Sequence, residues 1–184
     1  SGDYQLKDAY AALFDAIDHA AWEAGIEVKT RWVAAEKIEK EGVERHIGTP
    51  DGIIVPIGWG ERGSEGMIAS ASYARKNKIP YLGLCYGMQL AVVAFARDVL
   101  GLPDANTTEN NSASKHPVIH IIESQKEHLK NRAYGGTMRL GAWGAKVKEG
   151  TRAFEFYRKY GGIDTNSGLT SERHRHRYEF NIKF

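Results

Sequence analysis

The sequence predicts an α/β domain in which a mostly parallel central sheet is flanked by helices. Three observations carry that expectation. Short apolar runs rich in β-branched residues alternate with segments of helical period, the joints between them carry glycine, and 184 residues suffice for one sizeable core. Active sites in such sheets lie beyond the carboxyl ends of the strands, and two glycine-bearing loops fall there.

Taken in order, residues 4–24 set Ala9, Leu13, Ala16, Ile17, Ala20 and Ala21 at helical spacing, and Gly25 ends that helix. Residues 26–33 alternate like a strand, and the charged stretch 34–46 reads as a surface helix. Residues 51–56, opened by Asp51-Gly52, read as a fully buried parallel strand. A glycine-rich loop at 58–66 follows, then a helix over 67–77, a strand over 79–84 and a helix over 87–100. Beyond Asn106 the pattern is less regular, with strands expected at 118–122 and 144–147. Residues 1–184 read as a single domain without internal repeats or low-complexity tracts.

Composition narrows the function classes. A net charge of +2 does not suggest nucleic-acid binding, although the basic run 173–177 leaves room for a local anionic site. No apolar run reaches membrane-spanning length, and the first residues lack a signal-peptide pattern. The single cysteine cannot form an internal disulfide, which fits a reducing compartment and a cytoplasmic location.

The chemistry points to that cysteine. A buried strand runs into Cys85 and a helix starts right after it, with Gly83 and Gly87 two residues to either side. G-x-C-x-G is the cysteine form of a nucleophile elbow, whose sharp turn needs small neighbours so that backbone can pass close by. The helix start is expected to lower the thiol pKa through its dipole, and its amides to bind the oxyanion of a tetrahedral intermediate. The plainer alternative is a buried cysteine acting as a small hydrophobe. For the loop at 58–63 the alternative is a phosphate loop or simple turn, but no G-x-x-x-x-G-K-[ST] is present.

Longer stretches carry a family resemblance. The run Gly83-Leu84-Cys85-Tyr86-Gly87-Met88-Gln89-Leu90 resembles the nucleophile motif of class I, triad-type glutamine amidotransferases, a flavodoxin-like fold. Asp104-Ala105-Asn106-Thr107-Thr108-Glu109, the lid-like Gly135-Gly136-Thr137-Met138-Arg139-Leu140-Gly141 and Glu172-Arg173-His174-Arg175-His176-Arg177-Tyr178-Glu179 narrow it. Together with the Gly2-Asp3-Tyr4 opening they resemble the glutaminase domain of the CTP synthase family, over essentially the whole chain.

The resemblance implies that Cys85 attacks the glutamine side-chain amide, forms a glutamyl thioester and yields glutamate and ammonia. It implies that Gly58 and the amides of Tyr86, Gly87, Met88 and Gln89 contact glutamine and hold the oxyanion. Glu109 would take the α-ammonium, and Arg177 would help bind the backbone end. Gly135, Gly136, Thr137 and Arg139 would belong to a lid linked to activation by GTP. The ammonia would pass to a synthase domain of the same polypeptide, where Mg2+ and ATP act, in a homotetramer. No cofactor is expected in this domain, and no metal.

Three departures qualify this reading. The family's base and orienting carboxylate come from a late Phe-His-Pro-Glu type motif, and no H-P-E occurs in this sequence; the apolar strand that precedes the Gly-Asp-Tyr opening is also lacking. The domain is therefore expected to be incomplete at both ends and not fully active alone. Ile57 stands where the family carries glycine, so a positive φ there would be strained. His174 and His176, with Glu172 or Glu179, could be read as a base or half a metal site, or more plainly as a basic segment presenting Arg177. A non-catalytic amidotransferase-like binding module, or another α/β cysteine hydrolase, are the competing functions.

Overall fold

The structure is a computed structural model that describes residues 7–131 and 138–184. Its described residues cluster into two compact units, the first comprising the chain up to His120 together with Phe180–Phe184, the second Ile121–Glu179.

In the first unit a short 3-10 turn, Lys7–Tyr10, leads into helix α1 (Ala11–Ala24), and Gly25 closes it at φ 66, as the sequence predicts. The strand expected over 26–33 does not form. A strand exists only where its amides and carbonyls pair with a neighbour, and alternation alone supplies none. The stretch is fastened instead by a side chain, because Arg31 donates to the carbonyls of His46 and Ile47.

The predicted surface helix over 34–46 is two helices, α2 (Ala35–Glu41) and α3 (Val43–Ile47), broken at Gly42 with φ 90. Nor is it purely superficial, since Ala35, Ile38 and Ile47 are buried. α2 lies against helix α4 (Ser64–Lys76) so closely that a Cβ on Gly66 would come within 2.1 Å of the Ala35 carbonyl oxygen.

Strands β1 (Ile53–Val55) and β2 (Tyr81–Gly83) pair in parallel, Ile53 opposite Tyr81 and Val55 opposite Gly83. The expected full burial of β1 does not hold. Ile54 is 39% exposed and Leu82 52%, so one side of this two-stranded sheet is open. That side borders an apolar cavity of about 940 Å3 lined by Ile26, Val28, Trp32, Ile53, Ile54 and Leu82 among others. Helix α5 (Tyr86–Asp98) follows β2 and places Leu90, Val93 and Ala94 at i, i+3 and i+4 in the core. Leu90 and Val93 are completely buried, each stabilising by roughly 1.5–3 kcal/mol. Strands β3 (Asn106–Thr107) and β4 (Pro117–Ile121) are again parallel. Asn181, where the chain re-enters this unit, donates from its backbone to Val118 O and from its side chain to Pro117 O.

The second unit starts with a 3-10 turn and helix α6 (Lys126–Lys130). Its main feature is antiparallel. Strand β5 (Arg139–Lys146) pairs along its whole length with β7 (Leu169–His176), and β6 (Ile163–Asp164) lies on the other edge of β7. The strand expected at 144–147 is thus the end of a longer one. Between β5 and β6, helix α7 (Arg152–Tyr160) is capped by Thr151, whose hydroxyl accepts from the Phe154 N–H. The final strand, β8 (Tyr178–Phe180), carries the chain across the boundary back to the first unit.

Candidate functional site

The turn around Cys85 is built by close backbone approach. Leu84 N–H donates to Val55 O at 2.9 Å, which ties the end of β2 to the end of β1. A Cβ on Gly83 would lie 2.5 Å from the Met88 nitrogen, and one on Gly87 would lie 2.1 Å from Val55 O. Neither contact is possible for a real side chain, so both glycines of the motif are required by packing. Between them Cys85 sits at φ 53, ψ −104 and caps α5. Cys85 and Lys78 are the non-glycine residues of positive φ among those described. Such backbone costs of order 1–3 kcal/mol and persists only where the surroundings dictate it.

The electrostatics of the thiol differ from the expectation. Cys85 is exposed as a whole residue, yet its thiol is pushed above its ordinary value. The largest cause is loss of water around the sulfur itself. The Tyr86 N–H, as the helix start should, pulls the thiol down, and the Glu109 carboxylate pushes it up. The helix end acts with the predicted sign but is outweighed. Of the four elbow amides, Gly87 N–H donates to Leu84 O and Gln89 N–H to Cys85 O. The Gln89 side chain is buried, whereas Met88 is exposed.

The glycine loop leaves β1 through Pro56 and Ile57. Ile57 does not have the positive φ that would strain it, and its carbonyl accepts from the Tyr10 hydroxyl at 3.1 Å. Gly60, at φ 74, donates its N–H to Glu109 Oε1 at 3.0 Å. Its carbonyl accepts from the Tyr86 hydroxyl at 2.6 Å. Glu109 stands on the turn after β3, where its own N–H donates to Thr107 Oγ1, and burial pushes its carboxyl up. Asn110, the next residue, donates through Nδ2 to the Tyr86 hydroxyl at 2.8 Å.

The first unit thus brings together Cys85, Tyr86, Gly87, Gly60 and Glu109, residues spread over about fifty positions of sequence. The 940 Å3 cavity is lined by none of them, so volume does not locate this site. Asn110 carries no signal in the sequence: it is adjacent to Glu109, but nothing in the pattern says where its amide points.

Of the remaining candidates, Gly58 lies in the loop after β1 and the others lie in the second unit. Arg177 is buried, and its Nη1 donates to Gln125 Oε1 at 3.0 Å. Arg139 stacks on Trp143, 4.1 Å from the ring centre, and pairs with Glu179 at 3.5 Å. His174 and His176 lie side by side with ring centres 5.2 Å apart. Their Nδ1 atoms meet the carbonyls of Glu172 and Tyr178. Among the described residues no group of three or more His, Cys, Asp or Glu is placed to hold a metal ion. No helix among them is long and apolar enough to cross a membrane. Gly135, Gly136 and Thr137 lie outside the described residues.

Comparison with known proteins places this geometry. The model of the glutamine amidotransferase class-I family matches residues 5–183. A CTP synthase of Chloroflexus aggregans is 50% identical over 98% of this chain, and one of Cytophaga hutchinsonii 46% identical over the same share. Each alignment covers 31% of the relative, so the chain spans about a third of the length of these curated relatives. A solved structure of the Trypanosoma brucei CTPS glutaminase domain with bound acivicin superposes with a TM-score of 0.81 at 32% identity, covering 98% of this chain and 66% of that one. With a family model that runs through both the cysteine elbow and the basic strand, the chain belongs to the class-I glutamine amidotransferases, and its resemblance within them is to the glutaminase domain of CTP synthases.

Proposed function

We propose that this chain is the glutaminase portion of a CTP synthase. Cys85 Sγ attacks the side-chain carbonyl of glutamine, the amide nitrogen takes a proton and leaves as ammonia, and water then cleaves the thioester to glutamate. The observation that carries the reading is Cys85 held at φ 53 on a strand-to-helix turn whose two glycines are packed against neighbouring backbone.

Roles follow from residue chemistry. By the family resemblance Gly58 and the amides of Tyr86 to Gln89 hold the oxyanion; before substrate binds, the Gly87 and Gln89 N–H groups are engaged within the turn and the Tyr86 N–H on the thiol. Glu109 uses Oε1 on Gly60 and offers Oε2 to the substrate's α-ammonium. Loss of water is the main cause of the raised thiol and the Glu109 charge a smaller one; an ammonium beside Glu109 offsets that smaller part. The backbone end of glutamine is given to Arg177 by the family resemblance alone.

Hydrolysis of the thioester also needs a base, and this sequence contains no His-Pro-Glu run to supply it. Acylation by the 184-residue chain is therefore expected to outpace turnover. The wider reading places ATP, Mg2+ and UTP on a synthase domain of the same polypeptide, with GTP as activator, in a cytoplasmic homotetramer. Its support is the likeness to full-length CTP synthases.

A second reading, a glutamine-binding module without turnover, is favoured by the raised thiol. An electrophilic glutamine analogue followed by mass spectrometry separates the two. One adduct on Cys85, suppressed by excess glutamine, supports the glutaminase; a folded chain that takes up no label leaves the binding module.

A further inference from the structure

We propose that the Tyr86 side chain, held by Asn110, is a positioning residue that fixes both the glycine loop and the Glu109 carboxylate against the nucleophile turn; this rests on the glutaminase reading and assigns it a residue beyond the motif amides. Tyr86 follows Cys85 directly and is 1% exposed, so the elbow backbone dictates where its phenol goes.

The phenol has one proton. It is used on Gly60 O, at 2.6 Å, so the hydroxyl oxygen must accept from its other neighbour, and Asn110 Nδ2 at 2.8 Å is the donor that fits. Ser64, buried at the start of α4, is a further partner of the same hydroxyl. Gly60 in turn donates its N–H to Glu109 Oε1. The contacts close a ring from Tyr86 to the Gly60 carbonyl, through Gly60 to its N–H, on to Glu109 and its chain neighbour Asn110, and back to Tyr86.

That ring joins three stretches far apart in sequence and holds the Gly60 residue at both its polar groups. Burial also keeps the phenol protonated, hence a donor, throughout the physiological range. The consequence is geometric. Glu109 anchors one end of the substrate and Cys85 attacks the other, and the ring fixes the spacing between them. A fixed spacing selects glutamine over an amide one methylene shorter, and tolerates little misplacement.

The test compares two reagents on the full 184-residue chain. Labelling by an electrophilic glutamine analogue needs the spacing, whereas alkylation by iodoacetamide needs only the thiolate. For Tyr86→Phe, the analogue concentration giving half-maximal labelling should rise about tenfold or more, as loss of the phenol leaves buried groups unpaired. The iodoacetamide rate should stay within about twofold, because the sulfur keeps its surroundings. Asn110→Ala should show the same split, smaller, with the phenol still in place. It decides the question alone if Tyr86→Phe does not fold. Either variant, once folded, labelling with the wild-type concentration dependence overturns the proposal, as does an equal fall with both reagents. A folded wild-type chain that the analogue does not label would instead overturn the glutaminase reading.

Discussion

The elbow around Cys85 and the β5–β7 ladder each contain a glycine, yet the two are constrained differently. At Gly87 a Cβ would meet Val55 O at 2.1 Å, while at Gly144, within β5, the nearest atom to such a Cβ is Thr170 O at 4.0 Å. The elbow is specified by backbone touching backbone, which no rotamer change can relieve. The ladder is specified by eight registered pairs from Arg139–His176 to Lys146–Leu169, and one added methyl does not disturb them. A motif is thus most informative where its residues are dictated by contact, and the elbow glycines are of that kind.

The sharpest way to break this contrast is a pair of alanines. Gly87→Ala should destabilise by about 3 kcal/mol, because the clash is with main chain. Gly144→Ala should stay within about 0.5 kcal/mol of the wild type. Urea denaturation of both variants checks this, and equal midpoints would remove the distinction.

A smaller effect probes the strain at Cys85. Glycine adopts positive φ without penalty, so Cys85→Gly should stabilise the chain by about 1 kcal/mol while abolishing labelling by the glutamine analogue. For a chain of this length that is a rise in Tm of about 2–4 °C in a thermal melt. An unchanged or lower Tm would mean that the thiol contributes packing worth as much as the strain.

The smallest effect is electrostatic, and its sign can be worked out. A negative Glu109 stabilises the neutral thiol over the thiolate, so it raises the pH at which Cys85 ionises. Glu109→Gln removes that charge. The pH profile of iodoacetamide alkylation should start above the usual thiol range in the wild type and shift to lower pH in the variant. Labelling by the glutamine analogue should weaken in the same variant, since the α-ammonium loses its partner. A profile that stays put or moves upward would take Glu109 out of the control of the thiol.

Much of the first unit was legible because its signals are local. Gly25 stops α1 within a residue of where periodicity ends, and β2, Cys85 and α5 follow in the predicted order. Where the reading failed, the deciding term was a neighbour. Residues 26–33 alternate as a strand should, yet no strand forms, because a ladder needs a second chain segment. The continuous apolar run of β1 suggested full burial, and the sheet instead leaves Ile54 and Leu82 on an open side. The concern over Ile57 rested on its residue type, and its backbone turned out not to need a positive φ. The run Glu172-Arg173-His174-Arg175-His176-Arg177 was recognisable by its letters, but nothing in it announced an antiparallel strand facing β5.

By itself the sequence determined the strand-to-helix turn around Cys85, because G-x-C-x-G between a strand and a helix encodes a backbone crossing that few other residues permit. It also determined the family, since its motifs occur in order along nearly the whole chain. Only the tertiary structure decided the state of the thiol, where loss of water and the Glu109 charge outweigh the helix end. Only the tertiary structure brought Tyr86, Gly60, Glu109 and Asn110 into one ring of hydrogen bonds. Hydration and distant charge are sums over everything nearby in space, and no spacing along the chain records them.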